Sequence, residues 1–169
     1  MASLMEELLE VLGEEEKQYQ ELIELADVKS QAIIKADIDK LGEVTTQEQN
    51  AASTLLNLSN KRARVLDDMA TVLGKDPAKM TINKMIGYLE NQPEEQKKLS
   101  ERRDRLLEAG TQMQRLNQQN ETLLKQALEM VEFDLTLLRS MRQAPETANY
   151  NKNAYNTGDL LGSSGFDAK

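Results

Sequence analysis

The sequence predicts an all-α protein: an elongated antiparallel helical bundle or coiled coil of about three long helices plus one short helix, with a flexible C-terminal tail. Three observations carry this. First, Glu94 to Gln143 has apolar residues at helical spacing and no proline between Pro93 and Pro145. About fifty residues at about 1.5 Å each make a rod on the order of 75 Å long, too long for a compact barrel or sandwich. Second, Ala, Leu, Met, Glu, Gln, Lys and Arg dominate, and only 8 Gly and 3 Pro occur in 169 residues, a composition typical of bundles and coiled coils. Third, the 4 Tyr and 2 Phe are the whole aromatic complement, which suits helices that each bury a narrow aliphatic stripe.

The elements follow in order. Ser3, with Glu6 three residues on, reads as a capping box opening the first helix. Met5, Leu8, Leu12, Tyr19, Leu22, Ala26 and Ile33 form its seam, and Leu4, Leu9, Val11, Ile23 and Leu25 widen the stripe enough for two neighbours. Asp37 can cap a second helix carried by Ile38, Leu41, Val44, Ala52, Leu55, Leu58, Val65, Leu66, Met69, Val72 and Leu73. The alternative is a straight run through Asp37, one helix of about seventy residues and on the order of 100 Å. Gly74, with Pro77 beyond it, ends this stretch. Thr81 opens a short helix of Ile82, Met85, Ile86 and Leu89, closed by Asn91 and Pro93 and placed to cap one end of the bundle. The last helix runs from Glu94 to Gln143, with Gly110 its one weak point. Beyond it, a tail rich in Asn, Gly and Ser cannot bury enough surface to offset ordering. The chain therefore divides into a helical domain, 1–143, and a polar tail, 144–169.

Charge and chemistry narrow the function. With 21 Lys and Arg against 29 Asp and Glu, the net charge is −8, which opposes nucleic acid and anionic membranes. The basic cluster Lys97, Lys98, Arg102, Arg103, Arg105 is interleaved with acids and reads as a solvated, ion-paired face. No histidine or cysteine is present. That removes the commonest general base, the usual nucleophile pairs and zinc sites of ordinary composition. Gly158, Gly162 and Gly165 lack the strand and helix that a phosphate loop needs. The expectation is a non-enzyme with no cofactor or metal. There is no run of about twenty apolar residues and no signal-peptide pattern, so a cytoplasmic location is expected.

The last helix has more apolar surface than one seam needs. Leu123, Leu124, Leu128, Val131, Leu135 and Leu138 sit beside Ala127, Met130 and Phe133. One face can bury against the first helices and leave another for a partner helix; a homodimer of the free protein is the bland use of the same surplus. Asn120, between Leu116 and Leu123 at seam spacing, is either a register-fixing buried polar group or a half-exposed seam edge.

These segments resemble the FlgN family of flagellar export chaperones. The resemblance rests on the acidic, Leu-rich first helix (Leu8-Leu9-Glu10 through Leu22-Ile23-Glu24-Leu25) and on Ile33 to Leu41 leading into the second helix. It also rests on the Leu-Asn-x-x-Asn-x-x-Leu-Leu segment from Leu116 to Leu124, the apolar run through Ala127 and Leu128 to Leu138, and the tail at Tyr155 to Gly158. It implies a cytoplasmic chaperone that binds the C-terminal helical region of hook-filament junction proteins, prevents their premature assembly and delivers them to the flagellar type III export apparatus. The cargo surface it implies comprises Leu116, Asn120, Leu123, Leu124, Ala127, Leu128, Val131, Leu135, Leu138 and Met141. Family tails can carry a tyrosine that docks on the export gate protein, a part for Tyr150 or Tyr155. The long Asn/Gly/Ser tail departs from the pattern. The competing reading is a structural coiled coil or adaptor forming a permanent homo-oligomer.

Overall fold

The computed structural model describes residues 1–142, and all of its long elements are helical: α1 (Ala2–Ile34), α2 (Ile38–Val72), α3 (Ile82–Tyr88) and α4 (Pro93–Arg142). The expected tail, with Tyr150 and Tyr155, lies outside the described residues. The chain forms two compact units, Met1–Asn120 and Glu121–Lys169.

The chain turns at Asp37. Ala36 takes a left-handed φ of 54°; its N–H donates to the Ile33 carbonyl while the Asp37 N–H reaches back to that of Ala32. This pair of hydrogen bonds closes α1, and the Asp37 side chain then accepts from the Lys40 N–H at 3.1 Å to open α2. One residue thus ends one helix and begins the next. The same closure recurs after α2, where Gly74 (φ 68°) and Lys75 donate to Thr71 and Ala70. A 3-10 turn at Pro77–Lys79, which periodicity did not suggest, follows; Asp76 accepts from the Ala78 N–H to start it. Thr81 caps α3 by accepting from the Lys84 N–H at 3.2 Å. Pro93 occupies the first position of α4, where its missing N–H costs nothing.

Ser3 is not a cap. α1 begins two residues earlier than that cap would start it, at Ala2, with Met1 at the cap position and no side-chain bond there. The Met5 N–H bonds the Met1 carbonyl: the helix runs back past Ser3, so its early donors go to main-chain carbonyls and not to the Ser3 hydroxyl.

α1 and α2 run antiparallel. Ion pairs join Lys29 to Glu48 at 3.2 Å and Glu15 to Arg62 at 2.7 Å. Fourteen residues back along α1 correspond to fourteen forward along α2. That register sets Ala26 level with Ala51 and Ile33 level with Val44, all four buried. It explains why Ala51, not the expected Ala52, is the seam residue: Ala52 is exposed. Ile38, Val72 and Leu73, also expected in the seam, are exposed because they lie at the ends of α2.

α4 enters alongside α1 in the same direction. Arg102 lies against Gly13, Gly110 faces Tyr19, and Asn120 meets Ala26. The main core is made by Met5, Leu8 and Leu12 of α1, Val65, Leu66 and Met69 of α2, Met85 and Leu89 at α3, and Leu99 and Leu106 of α4. The short helix therefore closes one end of a three-helix bundle, as the sequence led us to expect. Two bonds tie it down: Gln96 Nε2 donates to the Ile86 carbonyl at 2.9 Å, and Arg103 Nη1 donates to Asn83 Oδ1 at 3.0 Å.

Candidate partner-binding surface

α4 uses two faces. Leu99, Leu106, Met113, Asn120 and Ala127 recur every seven residues, with Ala109, Leu116 and Leu123 between them. In the first unit this row is the inward seam: Leu99, Leu106 and Ala109 are buried, and Met113 and Leu116 are half-buried. Asn120 completes it, buried, with Nδ2 donating 2.8 Å to the Ala26 carbonyl. Of the two readings of Asn120 the buried one holds. The bond it makes is internal to the bundle, joining α4 to α1, so its side chain is committed to the fold.

In the second unit a different row stands out. Leu124, Leu128, Val131, Leu135 and Leu138 alternate at four and three residues along one face. Each is between 36% and 54% exposed. The row spans about 21 Å of helix at about 1.5 Å per residue. A 3.5-residue apolar repeat is the pattern of a helix that winds around another helix. Met141 adds exposed apolar area at its edge, while Met130, Phe133 and Leu137 are exposed on other faces of the helix. Leu123 and Ala127 are half-buried on the neighbouring face. The ten residues expected to hold cargo therefore divide. Leu116 and Asn120 belong to the bundle unit, Leu123 and Ala127 continue their row, and Leu124, Leu128, Val131, Leu135, Leu138 and Met141 present open apolar surface.

Monomeric soluble proteins rarely expose a contiguous apolar strip of this kind without a use for it. Among the described residues no three carboxylates converge as a metal would require, and no helix is long and apolar enough to cross a membrane.

The model of the FlgN protein family matches residues 1–158. The chain belongs to the FlgN family. Membership places it among the flagellar export chaperones. No curated protein and no solved structure matches the chain.

Two features of this FlgN-family chain were not singled out in the sequence. One is Leu107, 61% exposed on α4 beside shallow grooves of about 370–430 Å³ lined by Arg62, Arg103 and Gly110. The other is the Glu15–Arg62 pair. The Glu15 side chain is almost wholly buried and accepts from Arg62 Nη1 at 2.7 Å. Burial pushes its pKa up, against the pull of the Arg62 charge and hydrogen bond. The signal was available: Glu15 occupies the seam position between Leu12 and Tyr19, and Arg62 the one between Leu58 and Val65.

Proposed function

We propose that the chain is an export chaperone for hook-filament junction proteins, holding their C-terminal amphipathic helices on the row Leu124, Leu128, Val131, Leu135 and Leu138. The observation that carries this is the five-residue apolar row left open on α4 in a chain of FlgN family. Helix-in-groove and helix-on-helix recognition use anchors at this spacing. Met141, at the edge of the row, suits a surface that accepts more than one sequence, since thioether side chains adapt to irregular partners. Covering the row keeps the cargo from assembling early, and the complex is then delivered in the cytoplasm to the type III export apparatus. Tyr150 or Tyr155 serves as the contact with the export gate. The helical domain, 1–143, holds the cargo, and the polar tail, 144–169, makes the delivery contact. The net charge of −8 steers encounter with a basic cargo or gate more than it adds affinity.

The test is the triple variant Leu124→Asp, Val131→Asp, Leu138→Asp. All three positions are exposed, so helicity should survive while the complex with a junction protein's C-terminal segment is lost. A complex that persists at undiminished affinity assigns the cargo to another face.

A further inference from the structure

α3 shows what the space between α2 and α4 accepts. This short helix lays Met85 into the core with Leu66 and Met69 of α2 and Leu99 and Leu106 of α4, and packs Ile82 and Ile86 beside it. It also supplies an oxygen: Asn83 Oδ1 accepts from Arg103 Nη1 at 3.0 Å. At the end that α3 closes, the space therefore takes an apolar helix face and an acceptor for an arginine.

The space continues past α3 without a cover. On α4, Arg103, Leu107, Gly110, Gln114 and Asn117 line it at spacings of four and three, a wall of about 21 Å at about 1.5 Å per residue. On α2 the buried Leu66 is continued at the same spacings by Ala63, Ser59 and Leu56, and of these Ala63 and Leu56 are exposed. Tyr19 of α1, half-buried, lies between the two walls. All of these residues belong to the first unit.

Charge selects the occupant. Among the described residues that line the two grooves here, the charged ones are Arg62 and Arg103, with no carboxylate, in a chain of 29 acidic against 21 basic residues. The hollow on the other flank of Leu107 holds one of each sign, Glu108 and Arg115. Arg103 is answered by Asp104 at 3.0 Å, which does not line the groove. Arg62 lines both grooves and is 30% exposed, while its partner Glu15 is buried behind it. Arg62 donates to Glu15 at 2.7 Å and to Ser59 at 3.4 Å; a guanidinium carries five N–H donors, more than these bonds use.

We infer that the α2–α4 groove is a second docking surface, for an amphipathic helix of another protein whose apolar face covers Leu107 and Leu56 and whose Asp or Glu side chain reaches Arg62. The incoming helix repeats, further along the same groove, the combination that α3 already makes, with a carboxylate in place of the Asn83 amide. Arginine and carboxylate match as planar forks, and an arginine flanked by apolar surface is a common anchor of protein interfaces. This surface goes beyond the cargo reading and shares no residue with the row Leu124 to Leu138.

The probe is a stapled helical peptide of about fourteen residues, the length of the wall, with leucines along one face and glutamates beside them. A counterpart carries lysine at each glutamate. The full-length chain has no cysteine, so Gln114→Cys places one environment-sensitive dye in the groove, while anisotropy of labelled peptide gives affinities. The expected result is saturable one-to-one binding of the glutamate peptide in the micromolar range, with a blue shift of the dye. Affinity should fall at least about tenfold for the lysine peptide and for Leu107→Glu, a substitution at an exposed position that should leave helicity unchanged. Arg62→Lys keeps the charge beside Glu15 without the planar fork and should weaken the glutamate peptide several-fold. The Leu124→Asp, Val131→Asp, Leu138→Asp variant should bind it as the parent does. Absence of binding overturns the inference, as does equal binding of the lysine peptide or indifference to Leu107→Glu. Loss of binding in the triple variant overturns it too, as does a dye shift on concentrating the chain alone, which assigns the groove to a second copy. A chain that binds the glutamate peptide here and ignores junction proteins overturns the cargo reading alone; the reverse overturns this inference alone.

Discussion

Replacing Arg62 by alanine strands the Glu15 carboxylate where water hardly reaches it. Glu15 is 3% exposed at its side chain and Arg62 30%. Breaking a fully buried ion pair from one side costs about 3–5 kcal/mol. Two features lower that figure. Arg62 already touches solvent, so the space it vacates can admit water. The stranded carboxyl can also take up a proton, at a cost set by the distance from its ordinary value of 4.5; at pH 7 that is about 3.4 kcal/mol. We therefore expect Arg62→Ala to lose about 2–3 kcal/mol at pH 7. The sign of the pH dependence follows from the direction of the shift. A carboxyl whose pKa is raised by folding binds more protons in the native state, so its contribution to stability falls as pH rises through the window above 4.5. Without Arg62 the rise in pKa is greater and the fall steeper. Urea unfolding of parent and variant should converge toward pH 4 and separate progressively toward pH 7. Parallel profiles, or a loss below about 0.5 kcal/mol at pH 7, would refute the argument, and a Glu15→Leu, Arg62→Leu double variant near parental stability would support it.

Four further outcomes follow from the same geometry. Ala36→Gly should raise stability by about 0.5–1 kcal/mol, because the left-handed φ of 54° is strained for alanine and open to glycine; thermal melting checks it. Gly42→Ala, where an added Cβ meets nothing within 4 Å, should stabilise α2 by about 0.5–1 kcal/mol. Gly13→Ala should gain less than Gly42→Ala, since its Cβ would stand 2.6 Å from Arg102 Nη1 and displace that guanidinium; the two melting temperatures compare them. Asn120→Ala removes the buried bond to Ala26 and should cost about 1–2 kcal/mol, with hydrogen exchange rising first where α4 meets α1.

The architecture was legible because helix periodicity and breaker residues act locally. Gly74, Pro77, Thr81 and Pro93 mark element ends through their own backbone chemistry, and the structure ends or starts helices beside each. Asp37 was ambiguous for a physical reason: the turn depends on Ala36 adopting a left-handed conformation that its residue type does not advertise. The Ala51 and Ala52 choice was likewise closed to local reading, since the register between α1 and α2 decides it, and that register is fixed by pairs such as Glu15–Arg62 that join distant parts of the sequence. At the candidate surface, the surplus of apolar residues on α4 was visible, but its sorting was not. Asn120 faces inward while Leu124, four residues later, is open. The two rows differ by one residue of phase, about 100° around a helix, too little to separate without knowing which row the bundle takes.

The central claim is that the open row of α4 is a cargo surface, and mass measurement by light scattering on mixtures tests it most directly. Purified chain is combined with a hook-filament junction protein, with and without the Leu124→Asp, Val131→Asp, Leu138→Asp substitutions. The account predicts a stoichiometric heterocomplex with the parent chain and none with the variant. Unchanged masses on mixing, or a homo-oligomer indifferent to the junction protein, would contradict it.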